Sequence, residues 1–317
     1  MTIERNPGMN LNLDWIESIQ VNKSAIERRA STLGKRRSVK KQHQAAWLLK
    51  AITLIDLTTL AGDDTELRVK RLCAKGKKPL RHDLIEALGI PEMNLTTGAI
   101  CVYHDMLNSA AESLKGSGIH LAAVSTGFPA GLTPLHLKIE EIKESVNAGA
   151  DEIDIVITRK HVFSENWQAL YDEVKAYRDA CGEAHMKTIL STGEISTLRN
   201  VAKASMVCMM AGADFIKTST GKESVNATLP VSLTMIRQIR EYHERTGYQV
   251  GYKPAGGISK AKDALVYLSM MKEELGDDWL QPDLFRFGAS SLLGDIERQL
   301  EHHVTGHYSA AHRHAIG

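Results

Sequence analysis

From about residue 46 onward, short apolar runs rich in β-branched residues alternate with longer stretches in which apolar positions recur every three to four residues. The first pattern fits strands buried on both faces and the second fits helices that cover them, so their order predicts βα units and a parallel sheet. Eight runs qualify as strands: AITLID from Ala51, GAICVY from Gly98, HLAAVST from His120, EIDIVI from Glu152, MKTILST from Met186, ADFIKTST from Ala213, QVGYKP from Gln249 and LFRFGAS from Leu284. The helices between them carry apolar stripes: Leu135, Ile139, Ile142 and Val146; Trp167, Leu170, Val174 and Tyr177; Ala261, Leu265, Leu268 and Leu275. Gly149, Gly182, Gly212 and Gly247 stand where left-handed C-caps are needed, and Thr228 with Pro230, or Ser259, marks a helix start. Ala-Gly-Ala-Asp occurs at 148–151 and again at 211–214, each time between a helix and the next strand, a spacing of two βα units.

Eight such units predict an α/β fold, a (βα)8 TIM barrel. A doubly wound open sheet uses the same elements and is the competing architecture. The long interval before strand two, holding DDTELRVKRLCAKGKK and RHDLIEALG, predicts extra helices. Residues 1–45 read as an N-terminal helical extension, 46–304 as the barrel that carries the chemistry, and 305–317 as a flexible C-terminal tail.

Composition narrows the function. A chain of 317 residues with 43% hydrophobic and 5% aromatic content fills one large aliphatic core. Its 39 Lys and Arg nearly balance 38 Asp and Glu, so no global field draws nucleic acid or an anionic membrane, and the expected partner is a small molecule. The N-terminus lacks an apolar signal core and no apolar run approaches the roughly 20 residues needed to span a bilayer, which predicts a cytoplasmic protein. Cys73, Cys101, Cys181 and Cys208 form no CxxC pair, and the thirteen histidines include no HExxH, so neither a disulfide framework nor a metal is expected. The basic runs ERRASTLGKRRSVKK and RVKRLCAKGKK read as solvated helix faces.

In a (βα)8 barrel the reactive groups sit at the C-terminal ends of strands. Here these are lysines: Lys217 closes FIKTSTGK on strand six and Lys253 closes GYKPAGG on strand seven. An amine in an apolar mouth beside another cation is disfavoured as an ammonium and becomes a nucleophile toward carbonyls. Position alone does not say which lysine reacts, and either one equally suits an ion pair or a phosphate contact. On strand four, alternation puts Glu152 and Asp154 on one face, opposite Ile153 and Ile155; Asp154 reads as a proton shuttle or as half of a buried salt bridge. Asp56 at the end of strand one admits the same two readings. Thr220-Gly221-Lys222, Gly256-Gly257-Ile258-Ser259 and Gly288-Ala289-Ser290-Ser291 follow the last three strands, where glycine backbone, hydroxyls and helix N-termini suit a phosphate. Gly221-Lys222 is not a Walker loop, since 216 is Ile and 223 is Glu. Cys101 can point into the mouth, although a strand cysteine is more often a small core hydrophobe.

Taken in order, LIDLTTL at 54–60, GADEIDIVI at 149–157, KTILSTGE at 187–194, DFIKTSTGKE at 214–223, YKPAGGI at 252–258 and FGASSLL at 287–293 closely resemble the deoxyribose-phosphate aldolases, in particular their longer, animal-type branch. The resemblance runs from about Leu13 to His307. It implies metal-independent, cofactor-free and reversible cleavage of 2-deoxy-D-ribose 5-phosphate to D-glyceraldehyde 3-phosphate and acetaldehyde, in deoxyribose catabolism. It further implies Lys217 as the Schiff-base lysine, Lys253 as the neighbour that lowers its pKa and relays protons, and Asp154 as an acid/base working with water. Asp56, Thr58, Cys101, Lys187 and Lys222 join the substrate-binding candidates, with Gly221, Gly256, Gly257, Ser290 and Ser291 cradling phosphate. Tyr103-His104-Asp105-Met106 departs from the Tyr-Pro common in the family, and Tyr308 stands nearest to the C-terminal tyrosine that some members use as a proton carrier. A homo-oligomer is open to such a chain. The rival readings are another Schiff-base barrel, such as a transaldolase, and a barrel that only binds a phosphosugar.

Overall fold

The computed structural model describes residues 4–36 and 39–314. The N-terminal helices are α1 (Leu13–Ser18), α2 (Lys23–Arg36) and α3 (Lys41–Thr53). There follow β1 (Ile55–Thr58), α4 (Glu66–Lys77), α5 (His82–Ala87), β2 (Ala99–Tyr103), α6 (Leu107–Leu114), β3 (His120–Ser125), α7 (Leu135–Asn147) and β4 (Glu152–Val156). Next come α8 (Lys160–Phe163), α9 (Trp167–Cys181), β5 (His185–Ile189), α10 (Leu198–Met210) and β6 (Phe215–Lys217). The chain closes with α11 (Leu229–Thr246), β7 (Gly251–Lys253), α12 (Ala261–Leu275), β8 (Phe287–Ala289) and α13 (Leu292–Thr305).

Among the described residues the eight strands run in the unbroken order β7-β6-β5-β4-β3-β2-β1-β8, each paired parallel to the next. A doubly wound sheet reverses its order at a switch point; none is present here. The ring closes through Tyr252 N to Leu284 O at 2.9 Å, Arg286 N to Tyr252 O at 3.1 Å and Gly288 N to Pro254 O at 2.9 Å. Outward side chains such as Ile153, Ile155 and Met186 join the main core against the helices, whereas Cys101, Ala122 and Val124 pack together in a separate small cluster. The two Ala-Gly-Ala-Asp segments do one job at the bottom rim. Gly149 and Gly212 take φ of +100° and +97°, which the turn out of the helix requires. The aspartate that follows accepts the N–H of the preceding strand, Asp151 from Leu121 and Asp214 from Met186, both at 2.8 Å.

Four local expectations differ. Ala51–Thr53 finishes α3 and the first strand begins only at Ile55, because the buried residues of the helix (Leu48, Leu49, Ala51, Ile52) lead into buried Leu54 and Ile55 with the half-buried Thr53 alone between them and no glycine or proline to mark the boundary. Leu135 is 46% exposed: it opens α7 at the rim, and the inward face is Lys138, Ile142 and Ser145. Ser259 is not a cap; α12 starts at Ala261, whose N–H donates to Asp295 Oδ2 at 2.7 Å. The tail is fastened as far as His314, with Ser309 Oγ donating to Glu301 Oε2 at 2.6 Å and His314 Nε2 at 3.0 Å from the same oxygen; residues 315–317 lie outside the described residues. The N-terminal helices line the outer wall, α2 against α11 and α12, and α3 against α12 and α13. Among the described residues no helix is long and apolar enough to cross a membrane.

Candidate active site

Lys217 and Lys253 end adjacent strands and are register partners. Partners on parallel strands point to the same face, and both side chains enter the barrel. They meet on one atom: Asp154 Oδ2 accepts from Lys217 Nζ at 2.7 Å and from Lys253 Nζ at 2.8 Å. Lys253 also pairs with Asp56 Oδ2. Gly288 leaves room for this, since a Cβ there would sit 3.3 Å from Lys253 Cε and 2.8 Å from Ala255 Cβ.

Another tier of charges completes the cluster. Lys187, the register partner of Asp154, pairs with Glu152 and lies 3.4 Å from Asp154 Oδ1. Arg286 bridges the barrel, Nη1 donating to Asp56 Oδ1 at 2.6 Å and Nη2 to Glu152 Oε1 at 2.8 Å. Buried ions persist only when paired and hydrogen-bonded, and here four cations share three carboxylates. The imbalance decides the electrostatics. Burial and the adjacent Lys253 charge lower the Lys217 pKa although Asp154 opposes them. Lys253 is buried too, but Asp154 and Asp56 together raise its pKa. Burial works against the charge on Asp154, yet the lysines around it hold its carboxyl well below the usual range. Asp56 is held low in the same way, against burial, by Lys253, Arg286 and Lys187.

Lys217 also has access. It is 3% exposed and lines a cavity of about 460 Å³, whereas Lys253 is 0% exposed and does not reach the cavity wall. Thr58, Gly221, Lys222, Gly256, Gly257, Ser290 and Ser291 line the same cavity. Asp56, Cys101 and Lys187, also expected at the substrate, are 0% exposed and do not line it. Asp56 and Lys187 are taken up by ion pairs, and burial pushes the Cys101 thiol up to about 11. Gly221, Gly256 and Gly257 all have φ of +81°, a conformation that L side chains rarely adopt. α13 begins directly after Ser291, so its free N–H groups face this quadrant, and Lys222 is exposed with no ion pair among the described residues. Such a wall suits an anion. Tyr308 lies elsewhere, 93% exposed and stacked on His302 with ring centroids 5.1 Å apart. Among the described residues no group of three or more His, Cys, Asp or Glu is placed to hold a metal ion.

Two contributors escape a reading of the sequence. Glu223 organises the loop after β6, accepting from Thr220 N at 2.8 Å and from Gly193 N at 3.3 Å. Arg286 links two carboxylates; its one signal is a lone cation in LFRFGAS at the parity of Gly288, and its partners lie 230 and 134 residues away.

A parallel barrel whose mouth brings together a buried-edge amine, a carboxylate that this amine shares with a second lysine, and a wall suited to an anion has the parts that amine chemistry on small anionic carbonyl compounds needs. Residues 50–296 match the family described as DeoC/LacD family aldolase, and the chain belongs to that family. It is 58% identical over 309 residues to a deoxyribose-phosphate aldolase of Homo sapiens, with 97% of each chain covered. To that of Mus musculus it is 59% identical over 307 residues, covering 96% of each. Among solved structures it shares the fold of a deoxyribose phosphate aldolase from Aeropyrum pernix, with a TM-score of 0.60 and 21% identity over 86% of this chain and 97% of that one.

Proposed function

We propose that the protein cleaves 2-deoxy-D-ribose 5-phosphate reversibly to D-glyceraldehyde 3-phosphate and acetaldehyde through a Schiff base on Lys217. The observation that carries this reading is the asymmetry between two lysines on one carboxylate oxygen: Lys217 touches the cavity and has one carboxylate, while Lys253 is sealed and has two. The amine of Lys217 attacks the open-chain aldehyde. Asp154 and Lys253, working through a water in the mouth, relay the protons that turn the carbinolamine into an iminium, with loss of water. As a water-mediated base takes the proton of the C3 hydroxyl, the C2–C3 bond breaks and its electron pair passes to the iminium; glyceraldehyde phosphate departs, and the enamine left behind takes up a proton at carbon and is hydrolysed to acetaldehyde. Gly221, Lys222, Gly256, Gly257, Ser290 and Ser291 hold the phosphate and Thr58 a hydroxyl, which positions the aldehyde beneath it. Asp56 and Lys187 act from below by fixing the charge around Asp154. Four buried thiols suit a reducing compartment such as the cytoplasm, where this step of deoxyribose catabolism would take place.

The test is release of acetaldehyde from 2-deoxy-D-ribose 5-phosphate by the purified chain, followed through NADH oxidation by an alcohol dehydrogenase. Turnover that EDTA leaves unchanged and Lys217→Ala reduces to background is expected. Strong EDTA inhibition, or unchanged turnover in Lys217→Ala, contradicts the reading. Failure of acetaldehyde to serve as donor in the synthetic direction points instead to another Schiff-base aldolase.

A further inference from the structure

Arg286 is the largest fully buried side chain of the interior, and nothing in the proposed reaction touches it. Its planar fork meets two carboxylates from opposite sides of the barrel, Asp56 on β1 and Glu152 on β4, while Nε donates to Pro282 O. Gly98 makes the passage possible, since a Cβ there would lie 3.3 Å from Arg286 Cδ and Nε and 2.9 Å from Thr53 O.

The interior charges fall into two tiers. In the lower tier Asp56 and Glu152 are matched by Arg286 and Lys187; in the upper tier Asp154 is shared by Lys217 and Lys253, the latter also reaching down to Asp56, so the interior holds one cation more than it holds carboxylates. The other ionisable groups facing Arg286 or Glu152 are His120 on β3 and His185 on β5, with Cys101 on β2 facing Asp56, Asp154 and the upper lysines. Without Arg286 the lower tier carries a net negative charge, and that charge, in an interior that screens poorly, attracts a proton to the amine above it. We propose that Arg286 is a positioning residue of the reaction: by neutralising Asp56 and Glu152 together, it leaves Lys217 as the surplus cation of the interior and so keeps that side chain available as a free amine. The proposal rests on Lys217 being the nucleophile.

It makes a signed prediction that a merely structural role does not. The acid limb of kcat/KM against pH reports an essential group of the free enzyme, here Lys217 losing its proton. Arg286→Met removes a cation and should move the limb to higher pH, lowering kcat/KM on the order of tenfold at a fixed pH on the limb. Glu152→Gln removes an anion and should move it to lower pH. The double variant restores the balance and should return the limb to the wild-type position, and Arg286→Lys, which keeps the charge and loses the fork, should hold it there even where the rate drops. All variants are compared by circular dichroism; if Arg286→Met does not fold, the other three decide the question. Limbs that stay put, or that move the same way in Arg286→Met and Glu152→Gln, overturn the proposal, as does an Arg286→Lys limb that moves away from the wild-type position. Borohydride trapping on the wild type separates the two layers of inference. No adduct on Lys217 defeats the nucleophile assignment itself; an adduct on Lys217 with unmoved limbs defeats only the role of Arg286.

Discussion

Replacing Lys253 by methionine removes a positive charge from beside Lys217 while keeping an apolar stem of similar length. Both nitrogens sit on Asp154 Oδ2, at 2.7 and 2.8 Å, so they are no more than about 5.5 Å apart. At an effective dielectric constant near 20, two like charges at that separation repel by about 3 kcal/mol. Loss of the repulsion favours the Lys217 ammonium by that amount. Asp154 then no longer divides its charge between two lysines, which acts in the same direction. The amine fraction at a given pH below the limb should fall about a hundredfold, with kcat/KM following it. The assay is kcat/KM for 2-deoxy-D-ribose 5-phosphate across pH, with Lys253→Arg as the variant that retains a cation. The acid limb of Lys253→Met should move to higher pH and activity should recover in part at alkaline pH; Lys253→Arg should keep the limb near its wild-type position. A uniform loss at every pH with an unmoved limb would refute the electrostatic argument and leave Lys253 with proton transfer alone.

Asp56, Asp154 and Glu152 are held ionised against burial, chiefly by Lys253 with Arg286, by Lys217 with Lys253, and by Arg286 with Lys187 in turn. Groups with depressed folded-state pKa values contribute stability above their unfolded values near 4 and lose it as pH falls toward the folded values; urea unfolding of the wild type should therefore weaken steeply below about pH 4. Asp56→Asn leaves Lys253 with Asp154 alone and Arg286 with Glu152 alone, so that four buried cations share two carboxylates, and should cost about 3–5 kcal/mol at neutral pH and flatten that acid dependence; an unchanged unfolding midpoint contradicts the pairing. Gly256→Ala meets both φ of +81° and a Cβ 2.5 Å from the Asn226 side chain, so it should raise KM for the phosphorylated sugar while leaving kcat/KM for unphosphorylated 2-deoxyribose little changed; equal losses on the two substrates contradict a phosphate cradle. All four cysteines are buried, and burial pushes Cys101 up to about 11 and Cys208 up to about 12, so Ellman's reagent should label the folded chain slowly and the urea-unfolded chain fully. Fast labelling of the folded chain contradicts the packing.

Strand alternation was legible wherever a polar turn separates elements, as at Gly149 before β4 and Gly212 before β6. It failed at β1, where a buried helix passes into a buried strand through Leu54 alone and no change of period marks the boundary. The lysine pair was legible because strand ends in a barrel converge. The choice within the pair was not legible from position, since it depends on which nitrogen reaches the cavity and on how many carboxylates each one meets across the barrel. Arg286 was illegible for the same reason: its partners come from β1 and β4, and a single sequence shows an arginine in a strand without showing the acids that neutralise it. The fastening of the tail depends on Glu301, one carboxylate of a helical stripe that gathers Arg81, Ser309, Arg313 and His314 only in the folded chain.

One particular lysine, Lys217, should form the covalent intermediate. Incubation with 2-deoxy-D-ribose 5-phosphate or acetaldehyde, reduction with sodium borohydride and peptide mass mapping tests it directly. A single reduced adduct on Lys217 is expected, absent in Lys217→Ala and reached in Lys253→Met once the pH is raised. An adduct on Lys253, or substrate turnover with no adduct at all, would contradict it.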